Sequence, residues 1–109
     1  MKQRKLVVII SAVVAIAIAV PAFAGGGPDA AAIYKAKCAM CHGPDGKGQT
    51  PVGKSMKVRD LGSAEVQKMT NAELNKVIAD GKGKMPAYKA KLDQASIDAL
   101  IELIRTLKK

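Results

Sequence analysis

The stretch of sequence that decides the fold is Cys38-Ala39-Met40-Cys41-His42. It holds the only two cysteines and the only histidine of the chain within five residues. In a helical turn, residues at positions i, i+3 and i+4 share one face, so Cys38, Cys41 and His42 can meet one bound group together. Cys-x-x-Cys-His is the attachment signature of a c-type haem, in which the histidine nitrogen is the proximal iron ligand and the cysteines form thioethers.

Three other sites share the Cys-x-x-Cys spacing: a thioredoxin-type redox site, a structural disulfide and half of a zinc site. A thioredoxin-like fold alternates strands with helices, and this sequence shows no strand-like alternation. A structural zinc site takes four protein ligands, whereas this chain offers two cysteines and one histidine in total. A plain disulfide would leave His42 unexplained. The motif occurs once, so we predict one covalently attached haem and its iron.

The N-terminus has the layout of a secretory signal peptide. A basic segment, residues 1–5, precedes an apolar run of 15 residues from Leu6 to Val20, and Ala22-Phe23-Ala24 resembles a cleavage site. The run is short for a membrane span, which needs about 20 residues. We therefore predict a signal peptide at 1–24 and a mature domain at 25–109, exported to the periplasm. The alternative is an uncleaved N-terminal anchor.

Size and charge limit what the mature domain can do. Cleavage after Ala24 would leave 85 residues with a net charge of +6, since 15 basic residues would face nine acidic ones. A domain this small buries a low fraction of its surface, and a haem would supply the missing core. Positive charge on an exported protein suits acidic partner surfaces. Nucleic acid is a poor candidate, because few aromatic side chains are available to stack on bases. We expect a monomer with no membrane span after cleavage.

The mature sequence predicts short helices and no strands. Asp29 and Asp93 are candidate N-caps for the first and last helices, and Thr70-Asn71-Ala72-Glu73 is a capping box for a helix that ends near Gly81. A further short helix is predicted after Ser63, to about Lys68. The last helix carries an apolar stripe at i, i+3, i+4 and i+7 spacing, formed by Ile97, Leu100, Ile101, Ile104 and Leu107. The segment from Gly43 to Gly53 is rich in Gly and Pro and is predicted as loop throughout.

An iron bound by His42 has a second axial position, for which methionine is the natural ligand, since the chain has no second histidine. Met40 lies inside the attachment motif, and Met69 directly precedes a helix cap. Met85 lies in the loop Gly81-Lys82-Gly83-Lys84-Met85-Pro86-Ala87-Tyr88, where Pro86 favours an extended backbone at Met85. Met85 is therefore the predicted distal ligand, with Met56 as the alternative. The backbone carbonyl of Pro51 is the candidate acceptor for the second imidazole nitrogen of His42.

These two motifs, in this order, resemble those of the small bacterial class I cytochromes c. The resemblance covers essentially all of residues 25–109, including the last helix with Ile104-Arg105-Thr106-Leu107. It implies an all-α fold of three to five helices around one covalent haem, with the first and last helices crossing. By the same resemblance, Cys38 and Cys41 form thioethers and His42 and Met85 bind iron. The sequence departs from the family at Leu103, near which members often carry an aromatic residue.

A haem iron with both axial positions filled favours single-electron transfer over catalysis, because substrate cannot easily reach the metal. We therefore expect an electron carrier rather than an enzyme, working between redox partners outside the cytoplasm. Lysines in the loops around the two ligands could form a docking ring: Lys47, Lys54, Lys57, Lys82, Lys84, Lys89 and Lys91. The alternatives are a peroxidase-like enzyme and a gas-sensing module, each with a labile Met85.

Overall fold

A computed structural model describes residues 12–16 and 27–109 of the chain. The predicted signal peptide lies outside these ranges except for residues 12–16, and its cleavage site lies wholly outside them. The described part contains six helices, and its only extended pairing is an isolated bridge between Lys82 and Met85. The helices are α1 Ala30–Lys37, α2 Ala39–His42, α3 Pro51–Met56, α4 Ala64–Gln67, α5 Asn71–Asp80 and α6 Gln94–Thr106. The all-α prediction is confirmed, with one helix more than the predicted maximum of five.

The predicted helix starts are confirmed by their capping hydrogen bonds. The Asp29 side chain accepts from the backbone N–H three residues on at 3.1 Å, and Asp93 does the same at 2.8 Å. At the start of α5, Thr70 N–H donates to the Glu73 carboxylate at 2.7 Å, while Glu73 N–H donates to the Thr70 hydroxyl at 3.1 Å. Each bond satisfies a backbone donor that a helix start leaves unpaired. The helices α1, α5 and α6 therefore begin directly after the predicted caps.

Helix α3 corrects the prediction that Gly43 to Gly53 is loop throughout. Thr50 is the N-cap of α3 and accepts from Gly53 N–H at 2.9 Å, and Pro51 occupies the first turn. Proline is well suited to that position, because the N–H it lacks would have no partner there. Gly53 is buried, and a Cβ at this position would collide with the Cys41 carbonyl oxygen. The glycine therefore permits close packing of α3 on α2 and does not end the helix.

Helix α6 supplies four of the nine buried hydrophobic residues of the core in the described part of the chain. Four of the five residues of its predicted apolar stripe are confirmed: Ile97 and Leu100 are 2 % exposed, and Ile101 and Ile104 are also buried. Leu107, the fifth, is the half-buried C-cap of the helix. Full burial of such a side chain contributes about 1.5–3 kcal/mol. The helix packs against both α1 and α5, which matches the predicted crossing of the first and last helices. Leu103, where an aromatic residue is often found in the resembling family, packs at the edge of this core.

Two polar side chains tie α6 to the middle of the chain. The Gln67 amide donates to the carbonyls of Leu61 and Ile104 at 2.8 and 2.9 Å. The Arg105 guanidinium donates to the carbonyls of Gln67 and Met69 at 3.0 and 2.6 Å. These bonds fix the segment between α3 and α5 against α6, and that segment forms one wall of the candidate site.

In the part of the chain that the structure describes, no helix is long and apolar enough to span a bilayer.

Candidate haem-binding site

The attachment motif lies on consecutive helical turns, as predicted. Cys38 is the C-cap of α1, and its N–H donates to the Tyr34 carbonyl at 2.8 Å. The chain then continues into α2, in which His42 N–H donates to the Cys38 carbonyl at 2.9 Å. Cys38 and Cys41 are both half-buried free thiols. The two sulfurs and the imidazole are therefore presented from a short rigid segment, with both thiols available for bonding.

The segment that follows His42 is fastened to the motif by side chains on both sides. Gly43 has a φ of +79°, a conformation that favours glycine, and its carbonyl accepts from the Tyr34 hydroxyl at 2.6 Å. The Thr50 hydroxyl lies 2.7 Å from the Met40 carbonyl oxygen and 3.1 Å from that of Cys41. These contacts fix where the backbone around His42 lies, and so where its imidazole can point.

A cavity of about 410 Å³ brings the predicted site residues together. Its wall includes Cys38, Cys41, His42 and Met85, and the volume is within the range of small-molecule and cofactor sites. A smaller inner cavity of about 70 Å³ reaches the α6 core at Leu100 and is also lined by Cys38, His42 and Met85. Residues that are 43 positions apart in sequence thus share one largely apolar space.

The Met85 loop is closed by its own backbone. Lys82 N–H donates to the Met85 carbonyl at 3.2 Å, and Met85 N–H donates back to the Lys82 carbonyl at 3.0 Å. Gly81 has a φ of +77°, and a Cβ there would lie 2.6 Å from the Met85 carbonyl oxygen. The glycine is needed both for its backbone conformation and for this close approach. Met85 is half-buried and packs against the hydrophobic core.

The electrostatics of His42 favour a neutral imidazole. Burial is the main effect, and it lowers the pKa of His42, while the nearby Arg59 backbone partly offsets it. Nδ1 of His42 is buried without a hydrogen-bond partner. The predicted bond to the Pro51 carbonyl is therefore not formed in this structure, because Pro51 begins α3 at an exposed position. A neutral imidazole is the form that binds a metal.

The residues present fit a covalently attached haem. The unpaired atom is Nδ1 of His42, and burying it without a partner costs free energy. In a haem-bound His42 this nitrogen would take a hydrogen-bond acceptor, and Nε2 would bind the iron. The cavity wall also supplies two free thiols and a thioether, and burial raises the pKa of the Cys38 thiol. Nitrogen and thioether donors are a known axial pair for haem iron. The four chemical groups that the predicted cofactor requires therefore line one cavity.

Sequence reasoning missed two features of this cavity. Arg59 and Tyr88 both line it, although neither was assigned to the site. Arg59 follows Lys57, whose φ of +54° makes it the one described non-glycine residue with a positive φ. The signal available for Tyr88 was its position as the last residue of the predicted ligand loop. Of the predicted lysine ring, Lys57, Lys82 and Lys84 line the cavity.

Comparison with known proteins shows the family to which the chain belongs. The family model "Cytochrome C oxidase, cbb3-type, subunit III" matches residues 25–104. The chain belongs to this cytochrome c family. As a c-type cytochrome it is expected to carry covalent haem c and iron, the cofactor through which such proteins transfer electrons.

Solved structures show the same fold as this cytochrome. The c-type cytochrome KustC0563 is 31 % identical, with a TM-score of 0.70, and the match covers 75 % of this chain and all of that one. A tyrosine-to-phenylalanine variant of that protein matches at 29 % identity and a TM-score of 0.67, over 74 % of this chain and all of its own. Among curated proteins, no match was found. The predicted small class I cytochrome c fold is confirmed.

Proposed function

We propose that this cytochrome is a single-electron carrier with one haem attached to Cys38 and Cys41 and ligated by His42 and Met85. When bound, the haem supplies an iron that alternates between the ferric and ferrous states. The observation that carries the proposal is the shared inner cavity, whose wall contains the imidazole of His42 and the thioether of Met85. With both axial positions held by protein side chains, the iron would exchange electrons without binding a substrate.

Two other methionines line the outer cavity and are alternatives to Met85 as the distal iron ligand. Met56 and Met69 contribute to the outer cavity, but neither lines the inner cavity with His42. Met56 is the last residue of α3 and is 41 % exposed. Because α3 packs directly on α2, Met56 belongs to the layer of the molecule that carries His42. Met85 comes from a separate loop and is the better candidate for the opposite face.

The assignment of Met85 is tested by the far-red absorption band that a methionine ligand gives to ferric haem. We expect the band in the wild-type protein and in Met56→Ala and Met69→Ala, and its loss in Met85→Ala. The two alanine variants are matched controls, since each also removes a methionine from the cavity wall. Persistence of the band in Met85→Ala would refute the assignment, and its loss in Met56→Ala alone would transfer the role to that residue.

The partner is proposed to present an acidic surface to the mouth of the cavity. Four cations line the cavity: Lys57, Arg59, Lys82 and Lys84. Arg59 forms an exposed ion pair of 3.5 Å with Glu65, and the three lysines are all exposed. Clustered positive charge raises the rate at which an anionic partner arrives, and salt weakens the effect.

A small anionic oxidant can probe this surface. We expect Lys84→Glu to slow oxidation of the ferrous protein by ferricyanide several-fold at low salt, with the difference shrinking as salt is added. Lys76→Glu is the matched control, because Lys76 is an exposed residue of α5 outside the cavity wall. Equal slowing in both variants would show that net charge alone matters and would remove the argument for a docking surface.

Export is proposed from the signal-peptide pattern at 1–24, and haem attachment would then follow outside the cytoplasm. A mature protein that begins at Gly25 would be a monomer with a net charge of +6 before haem attachment. Intact-mass measurement of the protein purified with detergent from whole cells tests this directly. The expected mass is that of residues 25–109 plus one haem, and a mass that retains the first 24 residues would indicate an uncleaved anchor.

A further inference from the structure

Tyr88 makes a contact between the two halves of the site. It lies three residues after Met85 and lines both cavities. Its hydroxyl donates to the Lys37 carbonyl at 3.0 Å, across 51 positions of sequence. Lys37 is the last residue of α1, where helix carbonyls lack intrahelical donors, and it directly precedes Cys38. The side chain therefore links the Met85 loop to the attachment segment.

The backbone of Tyr88 is fixed independently of its side chain. Tyr88 N–H donates to the Ile78 carbonyl at 3.0 Å, near the end of α5. The Tyr88 carbonyl accepts from Leu92 N–H at 2.8 Å, in the turn that leads to α6. The ring thus projects from a point anchored to α5 and to the turn before α6, and its hydroxyl adds a third anchor at the end of α1.

Between this anchor and the bridge at Lys82 lies the segment that carries Met85. The bridge holds one end of the segment, and Tyr88 holds the other. Pro86 restricts the backbone between Met85 and Tyr88. A displacement of Met85 away from His42 would therefore have to strain or break the contacts of Tyr88. The hydroxyl bond to Lys37 is the one contact among these that reaches the attachment segment, which carries Cys38 and His42.

We propose that Tyr88 is a positioning residue that keeps Met85 on the iron through the bond from its hydroxyl to the Lys37 carbonyl. This inference rests on the proposed role of Met85 as distal ligand. The bond joins the distal loop to the residue before the first haem cysteine, so it limits how far the two sides of the cofactor can separate. Without it, the loop would open more often and Met85 would leave the iron faster.

The test is the rate at which imidazole replaces Met85 on the ferric haem-loaded protein, followed by the loss of the far-red band. Tyr88→Phe keeps the ring and removes the hydroxyl. One hydrogen bond of ordinary strength corresponds to about a five-fold faster replacement. Ile97→Val is the control for general destabilisation, because Ile97 is 2 % exposed in the core and lines neither cavity. We expect Ile97→Val to lower overall stability and leave the replacement rate unchanged.

Each outcome decides the proposal. Faster replacement in Tyr88→Phe alone, with the far-red band present before imidazole is added, supports it. An unchanged rate in Tyr88→Phe overturns it, and so does equal acceleration in both variants, which would indicate general destabilisation. If Tyr88→Phe proves too unstable to load haem, exchange of the Tyr88 hydroxyl proton with water in the wild-type protein decides: exchange slower than that of a free tyrosine hydroxyl supports the anchor, and equal exchange refutes it. Survival of the far-red band in Met85→Ala would instead refute the ligand assignment itself.

Discussion

Replacement of Tyr34 by phenylalanine should destabilise the folded protein by removing one buried hydrogen bond. Tyr34 is 6 % exposed, and its hydroxyl donates to the Gly43 carbonyl at 2.6 Å. The variant keeps the ring in the core but leaves a buried carbonyl without its donor. Such an unsatisfied group costs about 1–3 kcal/mol. For a domain of this size, we expect the melting temperature to fall by roughly 4–8 °C per kcal/mol.

The same hydrogen bond predicts how the loss of stability in Tyr34→Phe depends on pH. Burial, with smaller effects of Cys38 and Asp45, raises the pKa of Tyr34 to about 12, from an ordinary value of 10.0. A folded-state pKa above the unfolded one means that the hydroxyl stabilises the fold fully below pH 10, and that this contribution is lost as the pH rises through about 12. This pKa shift corresponds to at most about 2.7 kcal/mol of folding stability. The value is an upper limit, because a thioether at Cys38 would remove the thiol charge that contributes to the shift.

Urea unfolding of wild-type and Tyr34→Phe protein, followed by far-ultraviolet circular dichroism, measures both effects. The difference in unfolding free energy should be constant from neutral pH to about pH 9 and should shrink toward pH 12. Comparison of the two proteins at each pH cancels other alkaline transitions that they share. A variant as stable as wild type at neutral pH would show that the hydroxyl bond does not stabilise the fold. A difference that stays constant to pH 12 would show that folding does not raise the pKa of Tyr34.

Two further predictions concern the loop and the core. Gly81→Ala should weaken the far-red band and lower stability by about 1–3 kcal/mol, since φ is +77° and the new Cβ would lie 2.6 Å from the Met85 carbonyl oxygen. Gly83→Ala is the control and should leave the band unchanged, because Gly83 has a φ of +57° but open space around it. Equal loss of the band in both variants would contradict the steric reasoning. Leu100→Ala should lower the free energy of unfolding in urea by about 2–5 kcal/mol, because Leu100 is 2 % exposed. Glu102→Ala, at an exposed site of the same helix, is the control. A smaller loss of unfolding free energy in Leu100→Ala than in Glu102→Ala would contradict the place of Leu100 in the core.

Local features of the sequence predicted most of the fold, because they act over a few residues. The caps at Asp29, Thr70 and Asp93 satisfy donors within one turn, and the spacing of the α6 stripe depends only on helix geometry. Helix α3 was missed because its proline and glycine were interpreted as helix breakers. Thr50 followed by Pro51 was the available signal of a helix start.

The candidate site was predictable where its chemistry is concentrated and not where it depends on tertiary contacts. Cys38, Cys41 and His42 are adjacent in sequence, and the Met85 loop has a recognisable composition. The bond from Tyr88 to Lys37 spans 51 positions, and no local pattern predicts such a pairing. The contribution of Arg59 to the cavity wall depends in the same way on how the segment after α3 turns. The predicted bond from His42 to the Pro51 carbonyl is not formed in this structure, where Nδ1 of His42 has no partner.

The most direct test of the electron-carrier proposal is exposure of the reduced, haem-loaded protein to carbon monoxide at neutral pH. If His42 and Met85 both bind the iron, the visible spectrum should be low-spin and six-coordinate and should not change when the gas is added. Met85→Ala should bind the gas readily and serves as the positive control. Rapid formation of a carbon monoxide complex by the wild-type protein would contradict the account and would favour a haem enzyme or a gas-sensing module.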